Sequence, residues 1–270
     1  MDGLQSVEAP PVAPWKLVYD SVQGTSHIVH DMPCQDACRA VIHTVENEQV
    51  LIVACGDGAG SAMHSDFGSL TACDMVVELC KAQLVSRESF HDITQVTVVN
   101  WIETIRQKLQ REAERRECTL RDFATTLLIA IVMDDAAFFA QIGDGAIVIR
   151  QEGQLRCVFW PQSGEYVNVT NFITGEFFRE NLQTHAKLDP ITELAIFTDG
   201  IERLALRFDA LDVHAPFFEP MFRQLQVSSD VETLFAPLRD FLGSDAVNRR
   251  TDDDKTLILA SRVLCNDHSL

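Results

Sequence analysis

Apolar residues along this chain gather in short, nearly unbroken runs that end sharply. LIVACG (51–56), LLIAIV (127–132), FFAQI (138–142), AIVI (146–149), LAIF (194–197) and TLILA (256–260) have the length and composition of buried strands. Extended to the whole chain, this pattern predicts strands at 16–21, 39–45, 49–55, 125–133, 136–142, 146–151, 154–159, 194–197 and 256–262. Three of the gaps, ENEQ (46–49), MDDA (133–136) and QEGQ (151–154), are short and polar, as hairpin turns are. Helical periodicity takes over at 66–84, 96–117, 215–226 and 230–242. In the first of these Leu70, Cys73, Val76, Val77 and Cys80 share one face. In the second, Ile102, Ile105 and Leu109 form a narrow stripe, and KLQREAERRE (108–117) reads as a solvated face.

Hairpins dominate the strand order, and pairs of helices fall between groups of strands. That pattern predicts an α+β fold of two packed, mainly antiparallel β-sheets flanked by pairs of α-helices, and not a parallel wound sheet. Residues 1–14, with Pro10, Pro11 and Pro14, read as a flexible lead-in. Neither a linker nor an internal repeat divides residues 15–270, so they are expected to form a single domain.

The ends of the apolar runs carry the chemistry. LIVACGDG, FFAQIGDG and LAIFTDG each close on an aspartate followed by glycine, at Asp57, Asp144 and Asp199, and Asp252, Asp253 and Asp254 stand just before TLILA. A single Asp-Gly is an ordinary turn signal. Four acidic tips of this kind suggest a shared site instead, because carboxylates gathered at one sheet edge repel one another unless a cation sits among them, and a pair of hard divalent ions is the economical occupant. Oxygen-only ligands favour magnesium or manganese over zinc.

Composition narrows the partners. Acidic residues number 40 against 22 basic, a net charge of −18, which opposes nucleic acid and anionic membrane surfaces. No apolar run reaches the roughly 18 to 20 residues of a membrane span, and the first residues lack a signal-like pattern, so a cytoplasmic protein is expected. The eight cysteines are scattered, several within apolar runs, and read as reduced core residues and not as a disulfide framework. GDGAGS imitates a dinucleotide fingerprint, but Ser61 replaces the third glycine and Asp57 would face a pyrophosphate with the wrong charge. His27, His30, Cys34 and Cys38 imitate zinc spacing without the second cysteine pair that would support it.

PCQDA (33–37), GDGAGSA (56–62), ATTLLIAIV (124–132), QIGDGAIVI (141–149), FTDGIE (197–202) and DDDKTLILA (252–260) occur in an order that resembles the protein phosphatase 2C family of metal-dependent serine/threonine phosphatases. The resemblance spans residues 15–262, and GEYVNVTNF (164–172) is most similar to a bacterial branch. It implies the αββα sandwich of that family, a phosphorylated protein substrate and a cognate kinase pathway. It implies two Mn2+ or Mg2+ ions, with a third held more loosely. Asp36 would bind one metal and Asp57 would bridge both, joined by the Gly58 carbonyl; Asp199 and Asp253 would complete the second site, and Asp144 would serve the third ion. Asp253 is assigned over Asp252 and Asp254 by counting back from the TLIL strand. Hydrolysis would proceed through attack by a metal-bridging water or hydroxide, with no side-chain nucleophile.

One position departs from the family. The arginine that clamps phosphate, about five residues before the first metal aspartate, is here Asp31. His27 and His30 are the candidate phosphate-binding residues in its place. Ala59 occupies the position of a histidine acid found in some relatives, which leaves protonation of the leaving group to water. Tyr166 and Phe172 in the GEYVNVTNF lobe read as packing residues. The missing arginine keeps a second reading open, a pseudophosphatase acting as a regulatory binding module.

Overall fold

The structure, a computed structural model, describes residues 14–45, 48–85, 93–162 and 170–262. The lead-in up to residue 13 and Tyr166 lie outside them. The strands are β1 (Lys16–Val22), β2 (Ala37–Val45), β3 (Glu48–Gly56), β4 (Leu127–Val132), β5 (Ala137–Ile142), β6 (Ala146–Gln151) and β7 (Gln154–Phe159). They continue as β8 (Gln183–Lys187), β9 (Glu193–Phe197), the short pair β10 (Leu206–Arg207) and β11 (Asp212–Val213), and β12 (Lys255–Ser261). The helices are α1 (Thr25–Val29), α2 (Ser65–Val85), α3 (Gln95–Arg116), α4 (Phe178–Asn181), α5 (Asp199–Ala205), α6 (Ala215–Val227), α7 (Phe235–Leu242) and α8 (Asp245–Asn248).

Two five-stranded sheets form, ordered β2-β3-β4-β5-β8 and β1-β12-β9-β6-β7, with every neighbouring pair antiparallel. Side chains alternate along each strand, which explains why the runs are apolar throughout. On β3, Val50, Ile52 and Ala54 face α2 and α3, while Leu51, Val53 and Cys55 join the layer between the sheets. On β9, Leu194 and Ile196 face that same central layer, and Ala195 and Phe197 face α5 and α6. Both faces of these strands are therefore buried, and the molecule is a four-layer αββα sandwich.

The helices follow their sequence signals closely. Thr94 caps α3 in a reciprocal box with Thr97, and the helix stops where Glu117 turns left-handed at φ 56°. Its buried stripe includes Ile102, Ile105 and Leu109 as the periodicity predicts, extended by Val98, Trp101 and Ala113. Leu70 departs from the predicted face of α2 and is exposed, because the helix buries Gly68, Ser69, Ala72 and Cys73 in close approach to neighbouring backbone instead. The helix expected at 230–242 divides into a 3-10 turn, Val231–Leu234, and α7. Strand β8, QTHAK, is largely exposed at the edge of its sheet and so lacks the apolar run that marks the others. Among the described residues no helix is long and apolar enough to cross a membrane.

Candidate metal centre

Strand register brings the acids to one rim. β2 meets β3 with Ala37 opposite Gly56, which places Asp36 and Asp57, one residue beyond, at the same end of that sheet. In the other sheet Phe197 lies opposite both Leu257 and Ala146. Asp199, two residues past Phe197, therefore meets the segment leading into β12 and the one leading into β6, where Asp253 and Asp144 stand. Gly143, Asp144 and Gly145 are no hairpin turn: they carry the chain from β5 in one sheet to β6 in the other. Gly143 makes this crossing at φ 115°, a conformation closed to residues with a Cβ, and a Cβ there would lie 2.4 Å from Thr126 Cγ2.

Asp57, Asp144 and Asp199 each offer a carboxylate oxygen, and the three atoms lie within 4.8 Å of one another. They open into a cleft of about 880 Å³, lined also by Gly58 and Asp253. Asp57 is fixed through its backbone: its N–H donates to Thr126 Oγ1 at 2.9 Å, and its carbonyl accepts from Thr126 N–H at 2.8 Å. The bridge between Gly58 and Thr125 uses the Ala59 and Thr126 N–H groups, which leaves the Gly58 carbonyl outside that pair of bonds. Asp144 accepts from the Thr170 hydroxyl at 2.6 Å through Oδ2, whereas its Oδ1 is buried and has no partner among the described residues.

The remaining candidates fall around this cluster in different ways. Asp36 is buried behind it, with Oδ2 accepting from the Thr198 and Thr256 hydroxyls at 2.7 and 2.8 Å. Asp253 is half exposed on the cleft wall, its Oδ1 accepting from the Asp254 N–H at 2.8 Å. Asp254 points the other way and is 2% exposed; it accepts from the Gly24 and Gln35 N–H groups at 2.6 and 2.5 Å. His27 lines the cleft but is engaged behind it: Nδ1 lies 2.8 Å from Asp254 Oδ2, an ion-pair distance without hydrogen-bond alignment. His30 is exposed, its ring Nδ1 2.7 Å from the Ser26 carbonyl, and is not among the described residues that line the cleft. Asp31 is exposed beside it at φ 53°. Phe172, expected to be a packing residue, is on the cleft wall.

The electrostatics are those of carboxylates crowded together. Burial, then the charges of Asp36, Asp199, Asp144 and Asp253, hold the Asp57 carboxyl well above the usual range. Burial and the charges of Asp144 and Asp253 push Asp199 up to about 7. Burial likewise raises Asp144 and Asp36, against the pull of their threonine hydroxyls. A divalent cation would offset this repulsion by supplying the opposite charge at the point where the oxygens converge. The donor set is oxygen only and includes a buried oxygen, Asp144 Oδ1, without a partner among the described residues, which fits a hard divalent ion. The zinc-like set does not come together: among the described residues Asp57, Asp144 and Asp199 are the only convergent ligand group, while Cys34 Sγ donates to the Asp36 carbonyl at 3.7 Å and Cys38 Sγ lies 3.4 Å from Ser21 Oγ.

Sequence reasoning missed the hydroxyls that hold the acids. Thr126, Thr198 and Thr256 each stand at the boundary between a polar tip and an apolar run, in ATTLL, FTDG and KTLIL. A polar residue fixed at that boundary on several strands was the available signal. Glu202 was also missed: one turn along α5 from Asp199, it is raised to about 8 by burial and by the charges of Asp199 and Asp144.

A family model described as Protein phosphatase 2C matches residues 23–243. Serine/threonine-protein phosphatase 3 of Escherichia coli is 41% identical over 249 residues, covering 91% of this chain and 98% of that protein. The serine/threonine phosphatase Stp1 from Staphylococcus aureus has the same fold, with a TM-score of 0.60 at 17% identity over 97% of this chain and 99% of that one. RsbX, solved in complex with magnesium, is similar with a TM-score of 0.55 at 14% identity, over 94% of this chain and 100% of that one.

Proposed function

This chain belongs to the protein phosphatase 2C family and is a metal-dependent serine/threonine protein phosphatase, and we propose that its acid cluster takes two manganese or magnesium ions, with a third beside Asp144. The observation that carries this reading is the convergence of Asp57, Asp144 and Asp199, drawn from both sheets, to within 4.8 Å. In this proposal Asp57 is the shared ligand, the Gly58 carbonyl serves one ion, and Asp199 and Asp253 serve the other. Asp36 adds its charge from behind, and Asp254 with His27 holds the loop that presents Asp253.

The bound ions would supply an activated water and neutralise the charge that grows on the phosphoryl oxygens. The chain's own contribution is positional. Paired threonine hydroxyls fix Asp36, the Thr126 bonds fix Asp57 at the end of β3, and the Thr170 hydroxyl orients Asp144. Rigid placement of this kind is what lets donors act without reorganising during the reaction. The substrate is a phosphorylated protein, consistent with a cleft open enough for a side-chain phosphate. The regulatory-module reading rested on Asp31 standing in place of the arginine, and the convergent acid cluster speaks against it.

The test is turnover of p-nitrophenyl phosphate and a phosphoserine peptide with manganese, magnesium or chelator. Activity should need the metal and should fall by about 10³-fold or more in Asp57→Asn. Metal-independent turnover, or an active Asp57→Asn enzyme, would refute the assignment.

A further inference from the structure

The cleft is overwhelmingly negative, yet its substrate is a phosphate dianion. Asp57, Asp122, Asp144, Glu176, Asp199 and Asp253 all line it, six carboxyl groups in one pocket. Among the described residues on that wall, Arg121 is the only arginine or lysine. It is exposed, and among the described residues it makes no ion pair. Its immediate neighbour Asp122 is occupied elsewhere, with Oδ2 accepting from the Thr119 N–H and hydroxyl at 2.8 and 2.7 Å.

The backbone beneath Arg121 is firmly held. It belongs to the 3-10 turn Leu120–Phe123, and its carbonyl accepts from the Ala124 N–H at 3.1 Å. The Asp122 carbonyl accepts from His64 N–H at 2.8 Å, and the Ala124 carbonyl from Ala59 N–H at 2.9 Å. These bonds tie the turn to the loop that follows Asp57 and Gly58, so the base of the arginine is fixed relative to the acid cluster, while its guanidinium makes no ion pair among the described residues. An exposed cation on a fixed base, on the wall of a carboxylate-lined pocket that receives an anionic substrate, is the arrangement of a phosphate clamp.

We propose that Arg121 is the residue that binds the phosphoryl oxygens of the substrate, in place of the arginine that the N-terminal segment lacks. The inference rests on the phosphatase reading above. A fork of guanidinium N–H groups supplies charge-assisted bonds to two oxygens at once, a geometry that neither His27, engaged with Asp254, nor the outlying His30 provides.

The experiment measures inorganic phosphate binding to the manganese-loaded protein by calorimetry, together with kinetics on p-nitrophenyl phosphate and on phosphoserine peptides with and without acidic flanking residues. Arg121→Ala should weaken phosphate binding and lower kcat/KM on every substrate by roughly 10- to 100-fold. Arg121→Lys should recover part of both losses, and manganese binding should match the wild type in each variant. Unchanged phosphate affinity, or a loss confined to peptides with acidic flanks, would overturn the proposal by making Arg121 a rim residue that reads the peptide. The phosphate titration does not depend on turnover, so an inactive wild type would count against the phosphatase reading alone.

Discussion

Replacing Asp199 with asparagine separates the cost of the acid cluster from its use. The folded protein holds the Asp199 carboxyl at about 7 against an ordinary 3.8, because it is buried beside Asp144 and Asp253. Between those two values the folded chain keeps a proton that the unfolded chain has lost, so in chelator the stability falls as pH rises from about 4 to 7, by about 1.4 kcal/mol per unit. Over about three units the full penalty is on the order of 4 kcal/mol. Asparagine carries no charge and keeps the polar contacts of the site. In chelator at pH 8, Asp199→Asn should therefore be more stable than wild type by about 1 to 4 kcal/mol, which for a chain this size raises Tm by roughly 3 to 10 °C. At pH 4 most of the advantage should be gone, since the folded wild-type carboxyl is then protonated and the unfolded one, near its ordinary 3.8, is about half protonated. Manganese should restore the wild type and do much less for the variant. Thermal melts across pH, with chelator or manganese, decide it: a variant less stable than wild type in chelator at pH 8, or an advantage as large at pH 4 as at pH 8, refutes the reasoning.

Three further outcomes follow from the geometry. Asp253→Asn should weaken manganese binding with little change in chelated stability, whereas Asp254→Asn should cost about 2 to 4 kcal/mol because Asp254 is buried on the Gly24 and Gln35 N–H groups; calorimetry and urea denaturation of the pair distinguish the two roles. Gly200→Ala should destabilise by about 2 to 4 kcal/mol, as its Cβ would fall 1.9 Å from the Asp254 carbonyl oxygen, read again by denaturation. Arg106 donates to the Ile173 and Gly175 carbonyls at 2.6 and 2.9 Å and stacks on Phe178, so Arg106→Ala should cost about 1 to 3 kcal/mol and raise KM for phosphopeptides, because Gly175 and its neighbours form one cleft wall.

The layers were legible because the central strands are buried on both sides, which leaves their sequences apolar at every position. The hairpins at ENEQ, MDDA and QEGQ likewise matched the observed pairs β2-β3, β4-β5 and β6-β7. What stayed hidden was whatever lacks a local pattern. β8 is polar because it lies exposed at an edge, and Leu70 sits outside the α2 interface because small residues there allow close backbone approach. At the site, the acidic tips announced themselves, but their division of labour did not. Three consecutive aspartates in DDDK cannot reveal that Asp253 faces the cleft while Asp254 turns inward; that depends on the β1-β12 register, with Val22 opposite Lys255, bringing Gly24 within reach of Asp254. Arg121 escaped notice because it is far in the chain from every acid that lines the cleft except Asp122.

The three-residue passage through Asp144 joins the two sheets at the very rim where Asp57 reaches in from one and Asp199 from the other. Ions seated there would act as a rivet between the two halves of the sandwich. A slip of one sheet past the other by a single residue, about 3.3 Å, would pull those carboxylates apart and forfeit the grip. Ion occupancy and the alignment of the two halves would thus be one mechanical variable.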